Sequence, residues 1–236
     1  MELRKSRFIR VGSKIWVGVI VGAILAVVPV SPANATSRGG SFSCTANAAR
    51  TQTLYQPSNP AYTPCKDDAN WFAQLQPILG LGNLGAVRTY TDQEPDDLTT
   101  ARPRSSDHAT AYAEAAGVDL DLGNGVRVRT GVLWSKAIVA CTGRTFTGGM
   151  KPAFYTSGSV VTVNLNGKSF GTTGAYIKLA VPGYTVEINK VITTSSSKTR
   201  QALVITRNSF WGSFRIIVGE AKVGFSGNPC KPGAAD

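Results

Sequence analysis

From about residue 109 onward, apolar side chains fall at every second position and turn residues break the pattern at regular intervals. That period admits strands and little else. Val118, Leu120 and Leu122 alternate with Asp119 and Asp121. After Gly123-Asn124-Gly125 the alternation resumes as Val126, Val128, Thr130, Val132 and Trp134 against Arg127 and Arg129. Successive side chains of a strand point to opposite faces, so each run has one apolar face to bury. The register follows from the turn. A two-residue loop would set Leu122 opposite Arg127 and mix the faces. A three-residue loop with Gly125 in the left-handed region instead pairs Leu122 with Val126, Asp121 with Arg127 and Asp119 with Arg129. On this reading Trp134 sits on the apolar face of the hairpin and belongs to the core.

Further runs repeat the theme. Val161, Val163 and Leu165 lead into Asn166-Gly167; Ile177, Leu179 and Val181 end at Pro182-Gly183. Tyr184, Val186 and Ile188 follow, then Leu203 and Ile205 after a serine loop, then Phe214, Ile216, Val218, Ala221, Val223 and Phe225. Residues 42–54 and 84–90 read as strands, and 67–75 as one short helix. Many short strands with regular turns predict an all-β fold: an antiparallel β-sandwich with long surface loops and at most one short helix. Residues 91–108, rich in Asp, Glu, Pro, Ser and Thr, read as a mobile acidic loop within the domain.

The first 35 residues have a different character. Arg4, Lys5, Arg7, Arg10 and Lys14 precede an apolar stretch from Ile15 to Val30, and Ala33-Asn34-Ala35 then offers a cleavage site before Thr36. The apolar stretch falls short of the roughly 20 residues that span a bilayer. The pattern predicts a cleaved signal peptide over 1–35 and a single domain over 36–236, with no transmembrane segment after cleavage. The protein is then secreted, or held noncovalently at the cell wall; the long basic leader suits a Gram-positive cell. All four cysteines, Cys44, Cys65, Cys141 and Cys230, follow residue 35. An even count in an exported chain predicts disulfides. Of three possible pairings, Cys44–Cys65 closes a local loop and Cys141–Cys230 pins the C-terminus to a central strand, and these are favoured. With His108 as the single histidine and no Cys-x-x-Cys spacing, zinc is not expected.

Charge is unevenly distributed. Residues 36–236 hold 20 basic and 13 acidic residues, a net +7, yet 66–121 hold ten acids and four bases while 122–236 hold three acids and fourteen bases. A basic half can adhere to polyanions. Lys190, Lys198, Arg200, Arg207 and Arg215 are candidates, Arg200 and Arg207 foremost, whereas Arg127 and Arg129 face acids across their hairpin. Phe210 and Trp211, in a turn between strands, are the candidate aromatic contacts. No stripe of aromatics interleaved with bases is visible.

Catalytic chemistry finds no foothold. Asp107 and His108 are adjacent, and neighbours on a strand point to opposite faces; no nucleophile elbow exists. Asp92, Glu94, Asp96 and Asp97 are interrupted by Pro95 and match no calcium loop. Neither catalytic residues, nor metal ligands, nor any cofactor, nucleotide or otherwise, are assigned.

Several segments are shared, in order, with a known family: Ser43-Cys44-Thr45-Ala46-Asn47-Ala48-Ala49-Arg50, Asn59-Pro60, Pro64-Cys65, Ala140-Cys141-Thr142-Gly143, Val163-Asn164-Leu165-Asn166-Gly167, and most of Leu179 to Phe225, including Val186-Glu187-Ile188-Asn189 and Ile217-Val218-Gly219-Glu220-Ala221-Lys222-Val223-Gly224. In these the chain resembles the choice-of-anchor P family of secreted or surface-displayed actinobacterial proteins, whose members share a domain while their anchors differ. The resemblance implies a location and no molecular activity. Val204 and Lys222 stand where histidines often occur in that family, so a histidine-dependent role does not carry over. The tail Asn228 to Asp236 has no sorting motif or hydrophobic helix, which in that family implies release or noncovalent retention. The expected function is a noncatalytic interaction module of the cell envelope, with a cell-wall polymer or an extracellular glycan or protein as partner. A glycan- or anionic-polymer-binding protein and a secreted hydrolase with an unrecognised site are the alternatives.

Overall fold

The alternating runs form strands in the computed structural model, which describes residues 38–51, 55–73, 76–78, 80–98, 102–144, 149–171, 174–207 and 214–232. All lie in one unit, Asn34–Asp236. The expected signal peptide and cleavage site, and the candidate contacts Phe210 and Trp211, lie outside the described residues. The first strands are β1 (Arg38–Arg50), β2 (Tyr55–Ser58), β3 (Asp68–Phe72), β4 (Gln76–Ile78), β5 (Gly82–Leu84) and β6 (Val87–Glu94). Next come β7 (His108–Ala115), β8 (Val118–Asp121), β9 (Arg127–Thr130), β10 (Leu133–Arg144), β11 (Met150–Val160) and β12 (Val163–Leu165). The last are β13 (Lys168–Phe170), β14 (Ile177–Val181), β15 (Tyr184–Thr193), β16 (Ser197–Arg207) and β17 (Arg215–Pro232). No helix occurs among the described residues, so none there is long and apolar enough to cross a membrane.

Three antiparallel sheets result: a six-stranded sheet β14-β15-β16-β17-β1-β2, a five-stranded sheet β11-β10-β7-β6-β3, and a second six-stranded sheet β13-β12-β9-β8-β5-β4. The last two are one layer folded at a corner. Two residues separate β5 from β6, β7 from β8, β9 from β10 and β11 from β12. Across each gap the buried positions shift from one parity to the other: Leu84 to Val87, Ala115 to Val118, Val128 to Leu133, Val160 to Val163. Hydrogen bonds continue over the crease, from Gly85 N to Gly117 O at 2.9 Å, Ala116 N to Ala86 O at 2.8 Å, and Gly131 N to Val161 O at 2.9 Å. A Cβ on Gly131 would lie 2.7 Å from the Val161 carbonyl oxygen, which only glycine avoids.

The first sheet covers both halves of this folded layer and completes the sandwich. Against one half it buries Val186, Ile188, Leu203, Ile205, Ile216 and Val218, packed on Leu84, Leu120, Val128 and Val163. Against the other, Phe42, Cys44, Ala46, Ala221 and Val223 meet Ala109, Ala111, Ala113, Ala137 and Val139. It changes phase too. Pairing runs Ile188 with Leu203 and then Lys190 with Gln201, skipping Asn189, whose φ is 54°; on the next strand Gly219 has φ 66°. Both disulfides have the favoured pairing, Cys44–Cys65 with Cα atoms 4.8 Å apart and Cys141–Cys230 at 5.3 Å. Cys141 on β10 and Cys230 on β17 join the two layers.

The β8–β9 hairpin has the register derived from its turn: Asp119 opposite Arg129, Leu120 opposite Val128, Asp121 opposite Arg127, with Gly125 at φ 74°. Three expectations are corrected. The segment read as a helix over 67–75 contains β3, because the open edge of β6 pairs with Asp68–Phe72 and this long-range ladder outweighs local preference. The stretch 91–108 is strand at both ends, since β6 runs to Glu94 and β7 opens at His108; Asp107 is buried against Arg38 at 2.7 Å. Trp134 leaves the core, because the phase change at the corner turns it outward.

Candidate binding face

Strand pairing sets which side chains share the outer face of the five-stranded sheet. Trp71 lies opposite Arg88, Arg88 opposite Glu114, and Glu114 opposite Trp134. In the next row Tyr90 lies opposite Tyr112, and Tyr112 opposite Lys136. Residues directly opposite in an antiparallel pair point to the same side, so four aromatic side chains and three charged ones share this surface. The inward positions of the same strands are small, Ala109, Ala111, Ala113 and Ala115 on β7, all fully buried. Small residues inside and large ones outside invert the usual distribution.

The rings form a ladder. Tyr90 and Tyr112 have centroids 5.0 Å apart and planes 19° from parallel; Tyr112 and Trp134 are 6.1 Å apart at 24°. A 5.0 Å separation is too short for rings side by side in one plane, so they stack with an offset. The Arg88 guanidinium lies 5.7 Å from the Tyr90 centroid. The Tyr112 hydroxyl donates to Glu114 Oε2. Burial and that carboxylate push the Tyr112 phenol pKa well above the usual tyrosine range, so the donor proton stays in place. Beyond Trp134, β11 presents Ser159 opposite it and Ser157 opposite Lys136, small hydroxyls beside the end of the stack. Trp71, on the edge strand, is 73% exposed. With Arg88, Glu114 and Ala116 it lines a cleft of about 540 Å³. Farther along, the half-exposed Tyr155 has its hydroxyl 2.8 Å from Thr142 Oγ1.

The residues singled out from sequence lie elsewhere. Arg200 is buried, and its Nη2 donates to Gly158 O at 3.0 Å, Gly174 O at 3.1 Å and Asn189 Oδ1 at 3.1 Å. Counting back by twos from Leu203 and Ile205 puts it outside; the phase break at Asn189 and Gly219 turns it in and turns Gln201 out. Arg207 is exposed, its guanidinium 5.9 Å from the Phe214 ring. Lys190 is tied to Glu187 at 2.8 Å, and Arg215 to Gln201 at 3.0 Å. Arg127 and Arg129 both converge on Asp119, at 2.8 and 3.2 Å, whereas Asp121 caps its own turn through Gly123 N. The Arg127 bond, against a small opposing effect of burial, and then Arg129 hold the Asp119 carboxyl below its ordinary pKa.

His108 Nδ1 lies 2.8 Å from the Ser106 carbonyl oxygen, and Nε2 is 3.6 Å from Asp92 Oδ2. Asp107 is committed to Arg38 and to the Arg104 backbone N–H. Among the described residues no three His, Cys, Asp or Glu side chains converge as metal ligands. The aromatic ladder went unread in the sequence because its members sit 19 to 22 residues apart on different strands. The local signal was His108-Ala-Thr-Ala-Tyr-Ala-Glu-Ala115, where alanine alternates with Thr110, Tyr112 and Glu114. No protein-family model, curated protein or solved structure matches the chain.

Proposed function

We propose that this protein is a noncatalytic extracellular β-sandwich that binds a saccharide chain on the outer face of its five-stranded sheet. The observation that carries the reading is the row Trp71–Arg88–Glu114–Trp134 beside the stacked Tyr90 and Tyr112. Ring surfaces take the C–H faces of sugars, while flanking guanidinium, carboxylate, ammonium and serine groups hydrogen-bond their hydroxyls. Along β6, β7 and β10 the described outward residues set Arg88 and Lys136 against Asp92, Glu94 and Glu114, which favours a largely neutral glycan over a polyphosphate strand. Four cysteines joined as two disulfides suit an oxidising compartment. The resemblance to the choice-of-anchor P family and the leader-like first 35 residues support action at the envelope of an actinobacterial cell, secreted or noncovalently retained.

Affinity electrophoresis through gels containing soluble polysaccharides, together with pull-down on isolated cell walls, tests this. Retardation by at least one glycan is expected, and it should persist at high salt, because ring stacking is not screened. Trp71→Ala should weaken binding about tenfold, as loss of an aromatic anchor does. If Trp71→Ala migrates as wild type in every gel that retards the parent, the ladder is not the binding face.

A further inference from the structure

On the opposite side of the sandwich, the outer face of the first sheet carries a polar pocket of about 320 Å³. That volume falls within the roughly 300–1,000 Å³ of small-molecule sites. Outward polar side chains ordinarily meet water, yet here Asn47 and Gln201 are 2% exposed and Glu220 is 4%. The Glu220 carboxylate accepts from Asn47 Nδ2 at 3.3 Å, Arg50 Nη2 at 2.9 Å and Gln201 Nε2. Arg215 Nη2 in turn donates to Gln201 Oε1. Two buried polar atoms of this cluster lack a partner, the acceptor Asn47 Oδ1 and the donor Arg50 Nε. Both atoms lie beneath the pocket surface, and a hydroxyl, donor and acceptor at once, satisfies them once the Asn47 and Arg50 side chains turn toward it.

The charges say what else the occupant carries. Among the described residues, Arg50, Arg215 and Lys222 line the pocket with Glu220 as the one carboxylate, an excess of two positive charges. Lys222 stands 4.1 Å above the Tyr62 ring, which forms one wall. Tyr62 has φ 66°, a conformation rare for a bulky residue, and its carbonyl accepts from Cys44 N at 2.9 Å beside the Cys44–Cys65 bond. We propose that this pocket binds a hydroxylated organic anion of monosaccharide size. Its hydroxyl meets Asn47 and Arg50, and its carboxylate or phosphate lies between Arg215 and Lys222. The inference is independent of the saccharide reading of the aromatic ladder.

The test is an amide NMR titration of the exported protein with glucuronate, glycerol 1-phosphate and neutral glucose. Saturable shifts are expected at Asn47, Gln201 and Glu220 with at least one of the anions, with Tyr90 and Tyr112 unmoved and glucose about tenfold weaker. Glucuronate alone would identify a uronate site, and glycerol 1-phosphate alone a phosphopolyol site. The Arg215→Ala/Lys222→Ala variant should weaken the anion about tenfold or more, while Lys168→Ala, on another sheet, should not. The proposal is overturned if neither anion saturates, if glucose binds as well as the anions, or if the double variant binds as wild type.

Discussion

Arg200 shows how one residue's role depends on a backbone event on the neighbouring strands. Its side chain occupies space that a Cβ on Gly158 would take, 2.4 Å from Arg200 Nε. One nitrogen serves two carbonyls and an amide oxygen. Burial lowers the guanidinium pKa from the usual arginine range, as desolvation of a cation must. Truncation removes the donor and leaves three acceptors without their partner. Arg200→Ala is therefore expected to destabilise the fold by about 2–4 kcal/mol, read as a lower urea midpoint at unchanged slope. Arg207→Glu, at an exposed strand end, should stay within about 0.5 kcal/mol. Equal midpoints for the two variants would refute the internal role. Sequence alternation misplaces Arg200, because counting from Leu203 and Ile205 sets it on the outer face and the skipped pairing at Asn189 inverts it.

Among the elements, what was legible was local. The β8–β9 register followed from a three-residue turn and the match of faces, and Gly125 takes the left-handed conformation that turn requires. The charge pairing was legible only in part: both arginines reach Asp119, because side chains span diagonals that a register alone does not rank. The corner was not legible. Its four phase changes are set by neighbouring strands bending together, and Gly131-Val132 looks like a continuation of the run that ends at Trp134. The crease is what turns Trp134 from the core to the aromatic ladder, so its glycine links fold to proposed function. Gly131→Ala places a methyl 2.7 Å from a backbone oxygen that cannot swing aside. A loss of about 1–3 kcal/mol is expected. A chemical-shift change at the Trp134 indole should accompany it; a variant as stable as wild type would show that the crease tolerates a side chain.

Over the whole molecule the two disulfides divide the labour between stability and site. Cys141–Cys230 spans 89 residues and ties the ladder's layer to the sheet that bears the anion pocket, so it constrains the unfolded chain most. Cys44–Cys65 spans 21 residues and holds the segment that carries Pro60 and Tyr62 against β1. On the chain-entropy account, loops of these lengths contribute about 3 kcal/mol for the short one and somewhat under 5 kcal/mol for the long one. The paired variant Cys141→Ala/Cys230→Ala should therefore lose more thermal stability than Cys44→Ala/Cys65→Ala. Anion binding should follow the opposite order, because only the short bridge fixes the Tyr62 wall. Calorimetric Tm values and glucuronate or glycerol 1-phosphate titrations on the two variants, made below both melting points, test the division. If the long-bridge variant loses the anion while the short-bridge variant keeps it, Tyr62 is placed by the packing of the whole sandwich rather than by its own disulfide.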